Sequence, residues 1–383
     1  MRRWAWLGGF SVALGCAPAA APRVATPPRP AATAAPRVAT SRAPARTSSA
    51  PARLPLEDLP LSFDQGPLRL AGTLRLPSRA PGARVPAIVI VPGSGALSRD
   101  GLMRGQLGLG FGFELPVYRS LAEGLAERGF AVYRYDKRSC GRFNDCADNR
   151  YPTVPWALQA VQYSTSEYLA DAAAALAAVA AHPAIDPRRV FVVGHSQGGS
   201  LVPALMRVYP TLPAGVMLAP PFRPLAALLE QQGERLYWAF TLAGKPEEAS
   251  AERATLVAAA SALRDVEAGT HLGEPILGEP PGVWASWIKL GELAPELARS
   301  LDRPLLVLGG TYDYNVEPAE IAAWDALLRA APGVAHRVRL LPCVTHALNC
   351  IAEPDPTRIQ PADIAREVSP ALIAEIARFL DGV

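Results

Sequence analysis

One short segment, Gly194-His195-Ser196-Gln197-Gly198, has the spacing that presents a serine hydroxyl for reaction. It follows an apolar run at residues 189–193 and precedes a helical pattern that begins at Gln197. In a G-x-S-x-G turn between a strand and a helix, the glycines allow a tight turn that lifts the serine clear of the sheet. We therefore predict that Ser196 is a nucleophile and that the backbone N–H of Gln197 lines an oxyanion hole.

A serine nucleophile needs a general base, and His346 is the histidine best placed to be one. It follows the predicted strand 337–341, and loops at the carboxyl ends of parallel strands are where such sheets build their sites. His195 lies inside the serine turn, so we predict that it packs beside that turn. The other histidines lie near a helix end, in a predicted insertion and at a strand start: His182, His271 and His336.

The base needs an acidic partner that fixes its tautomer and stabilises the imidazolium. Asp313 follows the predicted strand 304–308, which gives the chain order Ser, Asp, His. Asp302 precedes that strand, and Asp325 lies in the helix after it. We predict a triad of Ser196, Asp313 and His346.

A second oxyanion donor is expected in the loop after an earlier strand. Val91-Pro92-Gly93-Ser94-Gly95 forms that loop, and we predict that the N–H of Ser94 is the donor. The segment Ser98-Arg99-Asp100 follows, and we expect its charges to brace the loop through an ion pair.

From residue 59 onward, apolar strands alternate with longer helices, which indicates a mostly parallel sheet with helices on both faces. We predict strands at 68–76, 85–91, 130–135, 189–193, 215–219, 304–308 and 337–341. We predict helices at 118–127, 167–181, 197–209, 318–329 and 361–380. Residues 220–298 interrupt the alternation with a helical pattern, so we predict an inserted cap. Its tryptophans, 238, 284 and 287, fit an apolar acyl pocket or core packing within the cap equally well.

The start of the chain has the pattern of an export segment. A basic start, a short apolar run and Ala13-Leu14-Gly15-Cys16 resemble a lipoprotein signal peptide over residues 1–16, with Cys16 as the lipidated residue. Residues 17–58 are rich in Ala, Pro and Arg and predict a disordered tether before a folded body at 59–383. We expect a protein that is exported and lipid-anchored in the periplasm or outer membrane, or otherwise secreted.

The 383 residues carry a net charge of +3, but the charge is unevenly distributed. Residues 1–56 hold eight arginines and no acidic residue, which leaves the body near −5. A folded nucleic-acid binder would carry its positive charge on the body, so that class is disfavoured.

Four cysteines remain in the body if Cys16 is lipidated, and they form two close pairs: Cys140 with Cys146, and Cys343 with Cys350. An even count in an exported chain suggests disulfides. Three connectivities are possible, of which we favour the local one. Neither pair has C-x-x-C spacing, so no metal site is predicted.

Four motifs together resemble the α/β-hydrolase superfamily over about residues 59–383. They are V-P-G-S-G-A-L-S-R-D at 91–100, Y-D-K-R-S-C-G at 135–141, G-H-S-Q-G-G at 194–199 and G-T-Y-D-Y-N-V at 310–316. The likeness is greatest to bacterial serine esterases of the dienelactone-hydrolase-like and prolyl-oligopeptidase-like branch. Two positions depart from that family: Pro92 stands in place of a histidine, and Ser139-Cys140 replaces a glycine and its neighbour, which fits an added disulfide.

The resemblance implies an α/β-hydrolase fold and hydrolysis of small-molecule carboxylic esters, without a cofactor, through a Ser-Asp-His triad and an acyl-enzyme. A peptidase or acyltransferase on the same fold would keep the same three residues. A non-catalytic, surface-binding lipoprotein is the alternative from another class. Acyl chain length, alcohol part and oligomeric state stay open.

Overall fold

A computed structural model of the chain describes residues 54–95, 97–101, 116–140, 146, 161–242, 244–331, 333–334, 336–352 and 367–383. The predicted signal peptide, Cys16 and most of the predicted tether lie outside the described residues. The strands are β1 Glu57–Gln65, β2 Leu68–Leu76, β3 Val85–Val91, β4 Ala131–Tyr135, β5 Ile185–His195, β6 Gly215–Leu218, β7 Leu305–Gly310 and β8 Arg337–Leu341. The described helices are α1 Val117–Ala126, α2 Thr165–Ala180, α3 Gln197–Val208, α4 Leu225–Leu242, α5 Pro246–Ala268, α6 Pro281–Arg299, α7 Pro318–Arg329 and α8 Pro370–Asp381.

These strands form one sheet in the order β1-β2-β4-β3-β5-β6-β7-β8. Strand β2 pairs antiparallel with β1 and β4, and all the other pairs are parallel. The register aligns Val91 with Gly194 and Gly310 with Leu341, so strands β3, β5, β7 and β8 end at one rim. The sheet is therefore mostly parallel, as in the α/β-hydrolase fold, and the predicted site loops share that rim.

Strands β3, β6 and β7, and residues 190–193 of β5, are apolar because helices cover both faces of the sheet. Alternate residues of β3 and β5 point to opposite faces: Val89 and Val192 pack in the core with α2, α3, α6 and α7, whereas Ile88 and Phe191 pack with α1 and α8. A buried strand shows no polar alternation, and the apolar runs in the sequence predicted these strands for that reason.

Three elements differ from the sequence prediction by more than two residues. Strand β1 was not predicted, and it begins at Glu57, two residues inside the predicted tether. The described part of the last helix begins at Pro370, because a residue before proline is held out of the helical region and Ser369 has a ψ of 123°. Strand β5 is longer than predicted at both ends and reaches His195.

The insertion lies between β6 and β7, where the cap was predicted, and its three helices have two roles. Helices α4 and α5 pack on each other around a small cluster of their own, which includes Leu229 and Leu263. Helix α6 instead joins the main core through Trp287 and Leu290. The cap is thus a helical pair seated on a third helix that belongs to the body of the fold.

No helix within the described ranges is both long and apolar enough to cross a membrane.

Candidate active site

Ser196 lies at the turn between β5 and α3, with φ 54° and ψ −122°. A β-carbon on Gly194 would lie 2.2 Å from the carbonyl oxygen of Gly198, and one on Gly198 would lie 2.3 Å from that of Val91. Only glycine fits at both positions, which is the physical reason for the G-x-S-x-G spacing. The Ser196 N–H donates to the carbonyl of Leu218 at 2.7 Å and so ties the turn to β6.

The structure brings the three predicted triad residues into one hydrogen-bonded line. The Nε2 atom of His346 lies 3.1 Å from Oγ of Ser196, and its Nδ1 lies 2.9 Å from Oδ2 of Asp313. The side chain of Asp313 is fully buried, and that of His346 is 12% exposed. The serine hydroxyl can therefore pass its proton to a ring whose far side is held by a carboxylate.

Backbone amides hold Asp313 in position. Its Oδ1 atom accepts hydrogen bonds from the N–H groups of Asn315 at 2.9 Å and Val316 at 2.8 Å. Its other oxygen is left for the histidine. Because an ionised carboxylate only accepts, this arrangement puts the ring proton of His346 on Nδ1 and leaves Nε2 to accept from Ser196.

The loop around His346 is closed by a disulfide between Cys343 and Cys350. Within it, the Thr345 N–H donates to the carbonyl of Asn349 at 2.9 Å. Cys343 and Leu348 have φ values of 59° and 64°, a region that side chains rarely adopt. The cross-link and this hydrogen bond thus fix the loop that carries the histidine, which allows the two strained residues to persist in it.

His195 packs beside the serine turn, as the sequence predicts. It is buried, and its Nδ1 lies 3.1 Å from the hydroxyl of Tyr118 while its Nε2 lies 2.9 Å from the carbonyl oxygen of His346. Burial, followed by the charge of His346, lowers the pKa of His195 to about 3. His195 is therefore a neutral ring that links the serine turn to the main chain of the histidine loop.

The loop after β3 lies against the nucleophile. A β-carbon on Gly93 would lie 3.3 Å from Cβ of Ser196, and the Gly93 N–H donates to the Tyr118 hydroxyl at 2.8 Å. Ser94 and Gln197 line the same cavity as Ser196. Among the described residues, no group accepts a hydrogen bond from the N–H of Ser94 or Gln197. Both predicted oxyanion donors are thus at the site.

Ion pairs brace this loop, but not between the two neighbours Arg99 and Asp100. Arg99 pairs with Asp136 at 2.6 Å, and Asp100 pairs with Arg134 at 2.9 Å and also with Arg119. Since Asp136 and Arg134 belong to β4 or follow it directly, the charges tie the loop to the neighbouring strand.

Lys137 is at the site although it is not among the predicted site residues. It follows β4, is buried, and lines the cavity. Its ammonium donates to the carbonyl of Gly93 at 2.7 Å and to Oε1 of Gln197 at 3.1 Å. The sequence contained one signal for it: the chain has only three lysines, and this one comes just after the predicted strand 130–135, within the Y-D-K-R motif.

Cys140 and Cys146 form the second disulfide, so both cysteine pairs have the favoured local connectivity. Arg138 precedes this bond and is buried, with ion pairs to Asp171 at 2.6 Å and Glu167 at 2.8 Å. Because Glu167 and Asp171 both lie on helix α2, the pairs anchor the segment that follows β4 to that helix.

A cavity of about 650 Å³ opens over Ser196. Its walls come largely from the insertion and are mainly apolar, with Phe222, Leu228, Leu229, Trp284 and Trp287 among them. Trp284 and Trp287 thus face the cavity, whereas Trp238 is 57% exposed. The cavity can hold a small organic molecule with its reacting carbon at the serine.

Residues 109–355 match the model of a family described as serine aminopeptidase, S33. A curated relative, esterase EstD of Thermotoga maritima, is 28% identical over 269 residues, which are 69% of this chain and 56% of that protein. The chain therefore spans little more than half the length of this relative.

Solved structures share the fold at low identity. DcsB in complex with its substrate analogue is 16% identical, with 85% of this chain and 99% of that chain covered and a TM-score of 0.50. Est1E from Butyrivibrio proteoclasticus is 14% identical, with 84% and 98% covered and a TM-score of 0.46. Dipeptidyl peptidase 4 of Porphyromonas gingivalis is 18% identical, with 86% and 36% covered and a TM-score of 0.47.

Proposed function

We propose that this chain, which belongs to the serine aminopeptidase S33 family of α/β-hydrolases and is similar to the esterase EstD, cleaves carboxylic esters through a covalent acyl-enzyme. The observation that carries the proposal is the hydrogen-bonded line from Ser196 through His346 to Asp313. A buried carboxylate, an oriented imidazole and a hydroxyl at the floor of a cavity are the parts that nucleophilic catalysis requires.

In the first half-reaction, Oγ of Ser196 attacks the ester carbonyl carbon while Nε2 of His346 takes the hydroxyl proton. Asp313 stabilises the imidazolium that forms. The negative oxygen of the tetrahedral intermediate accepts from the N–H groups of Ser94 and Gln197. The intermediate then collapses, and the alcohol leaves with the proton from His346, so that the acyl group stays on the serine.

Water completes the cycle in a second step of the same kind. His346 takes a proton from the water, whose oxygen attacks the acyl carbon, and the same two amides hold the oxyanion. The C–O bond to Ser196 breaks and the serine regains its proton from His346. One ester and one water thus give one acid and one alcohol, and the enzyme returns to its starting state.

The apolar walls of the cavity favour an ester with an apolar acyl part. Burial of hydrocarbon against Phe222, Leu228 and Trp287 supplies binding free energy without polar groups to satisfy. A peptidase or acyltransferase is the second candidate, and the relation to serine aminopeptidases favours it. The three activities differ in which leaving group or acceptor the acyl-enzyme meets.

The test begins with a fluorophosphonate probe, which reacts covalently with activated serines. We expect the purified wild type to be labelled, Ser94→Ala to be labelled as well, and Ser196→Ala to be unlabelled. We also expect Ser196→Ala to lose roughly 10⁴- to 10⁶-fold in kcat on an ester. The Ser94 substitution is a matched control because it removes a hydroxyl from the same cavity and keeps the backbone N–H.

A substrate panel then separates the candidates: p-nitrophenyl esters of increasing chain length, aminoacyl amides, and an ester with an added amine acceptor. Turnover of esters alone supports the proposal. Faster turnover of the amides, or transfer to the amine in preference to water, would replace it with the second candidate. Labelling that persists in Ser196→Ala would remove the proposed nucleophile.

A further inference from the structure

We propose that Lys137 is a positioning residue of this reaction, whose ammonium holds and polarises the two main-chain segments that donate to the oxyanion. The inference rests on the proposed function and adds a residue to it. Lys137 is not in the predicted triad or oxyanion hole, yet it contacts both segments that supply the hole.

The first contact concerns a single peptide group. The Lys137 ammonium donates to the carbonyl oxygen of Gly93 at 2.7 Å. That carbonyl and the N–H of Ser94 belong to the same planar peptide unit, in which the two bonds point in opposite directions. A cation at the oxygen end therefore fixes the plane and, by polarising the amide, makes the N–H at the other end a stronger donor.

The second contact concerns the residue after the nucleophile. The same ammonium donates to Oε1 of Gln197 at 3.1 Å. The N–H of Gln197 is at the first turn of α3, where helix N–H groups have no partner within the helix. With its side chain tied to Lys137, this residue is held at a fixed angle to Gly93. One ammonium group thus contacts both of the segments that supply the oxyanion hole.

The surroundings of Lys137 explain how a cation is kept there. Its backbone N–H donates to the carbonyl of Leu97 at 3.1 Å, and its Nζ lies 4.8 Å from the centre of the Tyr168 ring, close enough for a cation–π contact. The acidic charges that act on it are those of Asp171 from α2 and Glu279 from the segment before α6.

The neighbouring cation shows a purely structural arrangement for comparison. Arg138 is buried as well, but its guanidinium pairs with the carboxylates of Asp171 and Glu167 away from the reacting centre. Lys137 lines the cavity together with Ser196. Adjacent residues in one motif therefore place one cation in the scaffold and one at the site.

The contacts predict a particular pH dependence. Burial lowers the pKa of Lys137 to about 7, although Glu279 and Asp171 favour its charged form and Arg138 and Tyr168 lie beside it. The ammonium is present below that pKa and is lost as pH rises through it. A neutral amine still donates, but hydrogen bonds from a charged donor are about twice as strong. We therefore expect kcat to decline on the alkaline side of pH 7.

The experiment compares wild type with Lys137→Met, which removes the charge, and Lys137→Arg, which keeps it at every pH. Arg303→Met is the matched control, because Arg303 is a cation that donates to the backbone carbonyls of Met206, Tyr209 and Leu212, outside the site. For each protein, kcat and KM for one ester are measured from pH 5.5 to 9.5, with thermal unfolding to check folding.

We expect Lys137→Met to lower kcat at pH 6.5 by about 10- to 100-fold, less than the direct loss of an oxyanion donor, with KM changed by less than about 3-fold. In the Lys137→Met variant, kcat should no longer decline on the alkaline side of pH 7. Lys137→Arg should recover most of kcat and keep it to pH 9.5. Arg303→Met should unfold at a lower temperature and keep the wild-type kcat and pH profile.

A Lys137→Met enzyme with the kcat and the alkaline decline of wild type would overturn the inference. If that variant does not fold, Lys137→Arg decides, because an alkaline decline identical to that of wild type shows that another group titrates. A wild type that neither hydrolyses esters nor takes the fluorophosphonate removes the proposed function and this inference together. An active wild type with unaffected Lys137 variants removes the inference alone.

Discussion

The rim of the sheet and the helical pair α4–α5 both line the cavity. Each of the two regions is stabilised by different interactions. At the rim, the groups are buried and fixed by the sheet, by main-chain hydrogen bonds to Asp313 and by the disulfide at the His346 loop. The pair α4–α5 packs around a cluster of six buried apolar residues, counted among the described ones, of which five lie on the pair and the sixth is Ile276. Its ion pairs, Arg253 with Glu234 and Arg264 with Glu230, are exposed, so solvent and salt screen them and they add little to stability.

Strain and exposure follow the same division. Five non-glycine residues in the described chain have positive φ, and four of them lie at the rim: Ser196, Ala219, Cys343 and Leu348. Among the described residues, six of the twelve exposed large apolar side chains lie instead in the insertion, with Leu272 at 90%. Backbone strain persists only where the surroundings fix it, so it accumulates at the rim.

From this difference in stabilisation we infer separate roles for the rim and for the helical pair. The rim is preorganised for the chemical step, because its donors and acceptors are set before a substrate arrives. The helical pair shapes the space around the substrate and has little buried area to hold it rigid. Substitutions at the rim should therefore change kcat, and those in the pair should change KM and chain-length preference.

Of the variants that test this division, Asp313→Asn is expected to have the largest effect. An asparagine side chain can donate to Nδ1 of His346, which favours the wrong tautomer, so kcat should fall by about 10⁴-fold with KM nearly unchanged. Asp325→Asn is the control, since Asp325 lies on α7 in a partly exposed pair with Arg329. Steady-state kinetics of the two variants tests the assignment. Similar kcat values in both would mean that Asp313 does not orient the base.

A smaller effect is expected when the His346 loop loses its cross-link. The double variant Cys343→Ser, Cys350→Ser opens a short loop, whose closure is worth roughly 2 kcal/mol of unfolding free energy. Because the loop also positions the base, we expect the fold decrease in kcat to be larger than the fold change in KM. Denaturant unfolding and kinetics on the same preparation test both expectations. If KM alone changed, the loop would affect substrate binding rather than the chemical step, which would contradict the role given to the rim.

The smallest effect on the chemical step is expected for Leu229→Ala in α4. Leu229 is buried in the small cluster and lines the cavity, so its truncation removes contact with the substrate and adds space. We expect KM for a short-chain ester to rise about 5- to 10-fold, an unchanged kcat, and a shift of preference toward longer chains. Leu272→Ala, at an exposed position, should leave all three quantities unchanged.

If Leu229→Ala lowered kcat as much as it raised KM, the helical pair would take part in the chemical step. The division between the two regions would then be wrong. A chain-length series of esters, fitted separately for kcat and KM, distinguishes these outcomes.

The fold and the arrangement around Ser196 could be predicted because their signals are local in the chain. Short runs rich in apolar residues predicted strands β2 to β8, and the loops that follow β5, β7 and β8 hold Ser196, Asp313 and His346. Strand β1 also carried a signal, since Leu59, Leu61 and Phe63 alternate with polar or proline residues. Pro60 weakens that pattern, and proline is tolerated there because β1 is an edge strand.

The position of Lys137 could not be predicted in the same way. Its contacts join Gly93, Lys137 and Gln197, which are far apart in sequence and meet only because β3 lies between β4 and β5. The roles of the cap tryptophans depend on how the insertion folds over the sheet. The sequence therefore could not distinguish an acyl pocket from core packing within the cap. The lipid anchor at Cys16 and the export of the chain stay predictions.

The left-handed backbone at Ser196 has a consequence for laboratory evolution of this protein. Glycine adopts that conformation without the penalty that a side chain incurs, so selection for heat tolerance alone would reward replacement of the proposed nucleophile. Libraries screened by survival after heating would then be enriched in robust but inert clones. A screen for this enzyme therefore needs turnover as its first criterion and thermal endurance as its second.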